Sequence, residues 1–471
     1  MGREEQIINE KKRKLIELGK MRINPYAYKF DVKDYSSEIK DKYKKLKNNQ
    51  KTKDKATIAG RVMTIRDLGK LIFSTIQDSQ GKIQIILQKE ETEKNSFELF
   101  KKYIDAGDFV GCEGIIMKTK TGEVSVLIKK LELLTKSILP LPEKFHGIQD
   151  KEERYRKRYL DLIMNPEIKD IFKKRSRIIE ALREFLIKKE FLEVDTPVLQ
   201  PIPGGAIAKP FVTKYNAYDT DVYMRIAPEL YLKRLLVGGF DKVFEFSRCF
   251  RNEGVDWSHN PEFTNLEFYQ AYIEYNELMK LTEELIIDVV KKINGKPEIE
   301  RNNKKIKIKR PFKKITFEKL TKGEMSDEAF KEEIKKIKEP TFVINHPLDM
   351  SPLAKKNDNK TVQRFQLIID GIEIVNAFSE LNDPLDQEER FIEQSKKKGE
   401  KHEQDKEFIE ALKYGMPPAA GFGMGIDRFV MLMTGKDSLR EILLFPFMKP
   451  EEKKEIKEMV EKKIEMEKEE K

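Results

Sequence analysis

The sequence predicts an α+β chain in which a small OB-fold β-barrel precedes a larger antiparallel sheet flanked by helices. Three observations carry this. Residues 56–139 are short β-branched runs separated by turn residues, and from residue 166 long strands alternate with long helices. In that second part several strands carry ionisable groups at one parity and phenylalanines at the other. At 471 residues the chain exceeds one ordinary core, so two or three domains are expected.

The order along the chain is as follows. Residues 1–55 read as a basic helical extension (EEQIINEKKRKLIELGK) with a turn at INPYAYKF. Within 56–139 the runs TIAGRVMTI, LIFSTIQD, KIQIILQ, DFVGCEGIIMKT and VSVLIKKLELL predict five strands, with a helix (KNSFELFKKYI) between the third and fourth. Residues 140–165 combine prolines with a charged helix start and read as a linker. In 166–450 helices are expected at 168–190, 228–237, 276–293, 326–338, 384–414 and 426–435. The strand candidates there are VYMRIA, KVFEFSRCFRN, EFTNLEFYQAYIEY, TFVINHP, RFQLIIDGIEIVNAFSEL and PPAAGFGMG. Residues 451–471 are low in complexity and read as a charged tail.

Composition bounds the function classes. Hydrophobic residues are 39% and charged residues 37%, with a mean hydropathy of −0.62. No apolar run approaches the roughly 18 residues a membrane span needs, and the N-terminus lacks the apolar core of a secretory leader. Only Cys112 and Cys249 occur, too far apart for a zinc site, which suits a reducing cytoplasm. A net charge of +10 permits nucleic acid as a partner without establishing it.

The chemistry-bearing residues follow from strand parity, since alternate side chains share a face. In EFTNLEFYQAY, Phe263, Asn265, Glu267 and Tyr269 oppose Leu266 and Phe268; in VFEFSRCFRNE, Glu245, Arg251 and Glu253 oppose Phe244, Phe246 and Phe250. Joined through GVDWSHNP, the two strands would set Arg251, Glu253, Glu267 and Tyr269 over one cavity. So many charges on a covered face are costly unless a ligand completes them. IEIVNAFSEL repeats the pattern with Asn376, Phe378 and Glu380, and GFGMGIDRFVML adds a glycine-rich approach with Arg428 at a helix start. No dinucleotide fingerprint and no phosphate loop of the GxxxxGK type occurs.

These stretches carry a resemblance. FRNEG…HNPEFTNLEFYQAY resembles the second signature motif of class II aminoacyl-tRNA synthetases, GFGMGIDRFVML the third and KKEFLEVDTPVL the first. RYRKRYLDL, PGGAIAKPF, RIAPELYLKRLLVGGF, VNAFSELNDP and LREILLFPFMKP are similar to the forms met in lysyl-tRNA synthetases, so the likeness runs from about residue 10 to 450. The resemblance implies ATP-dependent activation of L-lysine to lysyl-adenylate, transfer to the 3′ end of tRNA(Lys), Mg2+ on the ATP phosphates, and a cytoplasmic homodimer formed through the first motif. It implies that Arg251 bridges the lysine carboxylate and α-phosphate and that Arg428 reaches the far phosphate. Phe263 would stack on adenine beside Glu253, His259 and Asn260. Glu229 matches the α-ammonium position; Glu267, Glu380 and Tyr269 match the ε-ammonium position; Gly205, Asn376 and Phe378 would contact the substrate. Arg66, Phe73, Gln84 and Glu123 match anticodon-contacting positions in the barrel.

There are departures. Glu373 matches a metal carboxylate, but its usual partner falls on Gln366, leaving the number of metal ions open and Asp370 as a substitute ligand. Glu373 also has the wrong parity for the Asn376 face, so a bulge or strand end is needed. Segment 316–340 is shorter than in many bacterial relatives. The rival readings are a protein-lysylating paralogue, which would lack the barrel, and an inactive RNA-binding protein of synthetase fold.

Overall fold

A computed structural model describes residues 2–142, 148, 150–206, 208–254, 256, 257, 259–398 and 405–450. The tail expected at 451–471 and part of the 140–165 linker lie outside them. Packing divides the chain into two units: Met1–Asp150 with Tyr159–Pro166, and Lys151–Arg158 with Glu167–Lys471.

In the first unit helices α1 (Arg3–Lys20) and α2 (Ser36–Tyr43) precede strands β1 (Lys51–Asp67), β2 (Leu71–Gln77) and β3 (Lys82–Gln88). Helix α3 (Lys94–Tyr103) then leads to β4 (Phe109–Lys118) and β5 (Val124–Thr135). The strands close into a barrel in the order β1-β2-β3-β5-β4. Alternation explains the closure: Ile72, Ile76, Ile83, Ile85, Val126 and Ile128 point inward and are almost fully buried, while their neighbours face out.

The second unit is built on an eight-stranded sheet. Its main elements are α4 (Ile168–Lys188), β6 (Leu192–Glu193), α5 (Glu229–Val237), β7 (Lys242–Phe250), β8 (Glu262–Ala271) and α6 (Tyr275–Asn294). They continue with β9 (Lys313–Thr316), β10 (Thr341–Pro347), β11 (Thr361–Ile369), β12 (Ile372–Ser379), α7 (Pro384–Lys398), α8 (Lys406–Lys413), β13 (Ala419–Gly425) and α9 (Ile426–Met433). The strand order is β9-β10-β11-β12-β13-β8-β7-β6, antiparallel except for the pairs at its two ends.

Helix α6 shows why the sequence folds as it does. Glu274 accepts from the Asn276 amide while Glu277 accepts from the Glu274 amide, closing the first turn, and Gly295 ends the helix at φ 77°. Leu278, Leu285, Ile286, Val289 and Val290 form its buried stripe against the sheet. On the sheet, Phe268 stacks on Phe422 at 4.3 Å, a pair contributing about 0.5–1.5 kcal/mol beyond its area. The single helix expected over 384–414 is two helices. Asp405 starts the second by accepting from the Phe408 amide at 2.9 Å, an N-cap that the charged periodicity masked. Segment 316–340 holds short helices Phe317–Leu320 and Asp327–Ile334, pinned by Phe317 stacked on Phe330. No described helix is long and apolar enough to cross a membrane.

Candidate active site

The sheet register assembles the site in rows. Glu267 pairs with Gly423, which pairs with Asn376, which pairs with Gln366; Tyr269 pairs with Gly421, then Phe378, then Arg364. Each row crosses neighbouring strands about 4.8 Å apart, and its central member is a glycine. The missing side chains leave the floor open, and a cavity of about 290 Å³ lies above it. Gly421 admits no other residue. A Cβ there would overlap Glu380 Oε1 and the Tyr269 ring. The glycines of GFGMG therefore make room for protein side chains as well as for a ligand.

One end of the cavity carries guanidinium groups. Arg251 follows β7, its amide bonded to Pro261 O at 2.8 Å, and its guanidinium lies 4.9 Å from the Phe263 ring. Arg251 Nε is buried without a hydrogen-bond partner among the described residues. Arg428, in the first turn of α9, stands 3.6 Å from Glu373. Glu253, His259, Asn260 and Phe263 line the same end. His259 Nδ1 lies 2.8 Å from Asp256, and Asn260 donates to Glu262 O at 2.7 Å.

The other end is acidic and dry. Glu267 is 5% exposed, receiving Tyr269 Oη at 3.0 Å and Asn265 Nδ2 at 2.8 Å. Burial first, then the charge of Glu229, raises its carboxyl to about 8, against the pull of those two donors. Glu229 opens α5 and Glu380 follows β12; both contact the fully buried Lys233, at 2.6 and 2.5 Å. Burial would lower the Lys233 ammonium, but the two carboxylates outweigh it and raise it. Gly205 closes this end at φ 83°, where a Cβ would crowd Ala227 and Glu229. A second cavity of about 550 Å³ shares Gly205, Glu229, Arg251, Glu373, Asn376 and Phe378 and adds Arg364 and Gln366.

Strand β12 carries the bulge that parity demanded. Its register jumps from Leu367–Val375 to Ile368–Glu373, leaving Ile374 as the extra residue, and Glu373 comes round to the cavity side. Glu373 and Gln366 are hard oxygen donors, and no cluster of three or more His, Cys, Asp or Glu residues able to hold a metal occurs among the described residues. This donor set fits a metal carried largely by phosphates.

Two expectations need correction, on Arg251 and Glu253 and on Asp370. Strand β7 ends at Phe250, so Arg251 and Glu253 reach the cavity from a loop rather than from the strand face. Glu245, which shares their parity but is not expected over the cavity, is buried in an ion pair with Arg225 at 2.5 Å. Asp370 cannot replace a metal ligand. It sits at a left-handed turn (φ 49°), paired with Arg301 at 2.7 Å and Lys338 at 3.4 Å.

Sequence reasoning missed three residues. Lys233 lies one helical turn after Glu229, a spacing that could have shown the pair. Arg364 is half-buried and donates to Asn376 Oδ1 at 2.8 Å, fixing that amide. Asp427 accepts from the Thr264 amide and pairs with Arg175 at 2.6 Å, tying α9 to β8 and α4.

In the barrel, Arg66 pairs with Phe73, and Thr75, two residues on, pairs with Gln84. Gln84 pairs with Ser125, two residues after Glu123. All four therefore share the outer face. Arg66 and Glu123 are exposed, Phe73 and Gln84 half-buried, and Glu123 lies 3.1 Å from Lys40.

The comparisons agree with this geometry. Residues 150–449 match the family of tRNA synthetases class II (D, K and N), and residues 56–134 match the OB-fold nucleic acid binding domain. A curated relative from Methanoculleus marisnigri named Lysine–tRNA ligase is 47% identical over 93% of this chain and 94% of its own. Relatives of the same name from Carboxydothermus hydrogenoformans and Pelotomaculum thermopropionicum are 46% and 45% identical, covering 94% and 96% of this chain and 98% and 97% of their own. With an OB-fold barrel, a class II catalytic sheet and such relatives along nearly its whole length, the chain belongs to the lysine–tRNA ligases, the class II enzymes that activate lysine with ATP and charge tRNA.

Proposed function

We propose that the two ends of the cavity divide this reaction between them: guanidinium groups handle the nucleotide, and buried carboxylates select lysine. The observation that carries the reading is one continuous cavity lined by Arg251 and Arg428 at one end and by the buried Glu229 and Glu267 at the other, with buried Glu380 packed against Gly421 of its floor.

Adenine stacks on Phe263, with Glu253, His259 and Asn260 at its edge and ribose. Arg251 grips the lysine carboxylate and the α-phosphate together, which brings nucleophile and electrophile into line. The carboxylate is already ionised, so attack on the α-phosphorus needs no base. Pyrophosphate leaves, with its charge held by Arg428, and Arg251 stabilises charge gathering on the phosphoryl oxygens. The tRNA terminal ribose hydroxyl then attacks the lysyl carbonyl and releases AMP. At the far end Glu229 holds the α-ammonium; Glu267, Glu380 and Tyr269 hold the ε-ammonium; Gly205, Asn376 and Phe378 pack on the aliphatic stem.

Divalent metal accompanies ATP in this family. We assign it as Mg2+; Glu373 and the Gln366 amide oxygen would hold it from the protein side, and it would supply neutralisation of phosphate charge. On the barrel, Arg66, Phe73, Gln84 and Glu123 contact the anticodon, with Phe73 stacking on a base. The domain reading is 1–55, 56–139, 140–165, 166–450 and 451–471, in a cytoplasmic homodimer. Exposed Ile187, Leu192, Val198, Leu199 and Val212 around the first motif support an interface between copies. The closed barrel favours tRNA over a protein acceptor, and the assembled cavity favours an active enzyme.

Lysine-dependent exchange of pyrophosphate into ATP tests the reading. Exchange with lysine but not with aspartate or asparagine is expected; a folded protein with added magnesium and no exchange would sink it.

A further inference from the structure

Three buried carboxylates gather at the amino acid end, Glu229 and Glu267 lining the cavity and Glu380 packed against Gly421 of its floor, and among the described residues Lys233 is the cation in contact with any of them. Lys233 is fully buried, bonded to Glu229 Oε1 at 2.6 Å and to Glu380 Oε2 at 2.5 Å. Its ammonium also lies 5.4 Å from the Phe378 ring and 5.9 Å from the Phe408 ring. By the reading above, Glu229 and Glu380 serve opposite ends of the substrate, so one protein side chain spans the two subsites. Glu380 Oε1 keeps no hydrogen-bond partner among the described residues and rests over Gly421 beside Tyr269.

We propose that Lys233 is a positioning residue whose ammonium is the resident counter-charge of the lysine pocket. It ties Glu229 to Glu380 and, once all three carboxylates are ionised, leaves the pocket two positive charges short, the number a lysine substrate brings. This rests on the lysine reading of that end. A buried carboxylate stripped of its cation is expensive and takes up a proton instead. With Lys233 present, one of the three carboxylate charges is answered from within, and the α- and ε-ammonium groups answer the other two. An amino acid bearing a single ammonium leaves one carboxylate unanswered, so the same count rejects neutral side chains. The groups facing Lys233 bear this out element by element. Its own helix α5 offers Glu229; the end of β12 offers Glu380 and Phe378. Strand β8 sets Glu267 and Tyr269 nearby, and α8 presents apolar Phe408, its acidic neighbours Asp405 and Glu407 being held by Arg234.

The test compares the parent enzyme with Lys233→Met and Lys233→Gln in pyrophosphate exchange from pH 6.5 to 9.5. At pH 7.5 the KM for lysine should rise about tenfold or more, while the KM for ATP stays within about twofold. The rise of kcat/KM for lysine with pH should move up by about one pH unit, because carboxylates without their cation ionise later. Lysine and ATP parameters falling together with an unmoved pH profile would reduce Lys233 to a space-filling residue and overturn the proposal. Should Lys233→Met fail to fold, Lys233→Gln carries the same comparison, since it keeps a polar donor without the charge. A parent enzyme without lysine-dependent exchange would defeat the functional reading itself, and this proposal with it; an active parent with unmoved variants defeats this proposal alone.

Discussion

At the nucleotide end of the cavity the charged groups keep water: the Arg428 and Glu373 side chains are 30% and 31% exposed and meet only at 3.6 Å. At the amino acid end Glu229, Glu267 and Glu380 are 8% exposed or less. The difference follows from what each end must recognise. ATP brings several negative charges and its own cation, so the protein can offer loosely held guanidinium groups and let the ligand order them. Lysine differs from other amino acids by one distant ammonium, and discrimination requires carboxylates that are costly to leave unanswered. On the proposed reading, catalysis sits at the wet end and specificity at the dry one.

The sharpest way to break this division is Arg251→Ala. It removes the group proposed to touch both reactants, and kcat for exchange should fall by about a thousandfold. A fall confined to the lysine KM would move Arg251 to the recognition side.

Glu267→Gln comes next. The KM for lysine should rise about 10- to 100-fold, with ATP affected by less than about twofold. The parent should also gain lysine affinity as pH rises from 7 toward 8, because a carboxyl raised to about 8 holds a proton that the incoming ammonium must displace. The variant should lose that slope. Linkage gives the sign for stability: folded Glu267 keeps its proton where the unfolded chain has lost it, so its presence destabilises the empty protein increasingly from about pH 4 to 8. Thermal unfolding of Glu267→Gln at pH 8 should therefore occur no lower than in the parent. A lower midpoint would mark Glu267 as structural.

The smallest effect belongs to the barrel. Phe73→Ala should raise the KM for tRNA about tenfold through a lost stacking contact and leave exchange untouched. A change in exchange would deny the separation of anticodon reading from activation.

How legible all this was depends on how local each cause is. Glu267 and Tyr269 could be placed on one face because strand parity is fixed by the backbone, and the fault in parity at Glu373 announced a bulge. The reach of Arg251 from a loop was invisible, since nothing in CFRNEG marks where pairing stops. Pairings made across the fold were hidden for a different reason. Asp427 meets Arg175 and Arg364 meets Asn376 only once the sheet has set which elements adjoin. Lys233 was open to reading by its spacing from Glu229, yet its second partner, Glu380, lies far along the chain. The break between α7 and α8 was missed because an even run of charge looks equally helical throughout.

The bulge at Ile374 has a consequence for how this site can change. On the proposed reading Glu373 serves one reactant while Asn376 and Phe378 serve the other, and a single strand carries all three. The spacing between the two chemistries is therefore ruled in whole residues, each about 3.3 Å long. Loops elsewhere can lengthen by degrees, but this interval can be altered only in jumps longer than any bond being made. Variation in such a protein should collect around the strand and leave its gauge alone.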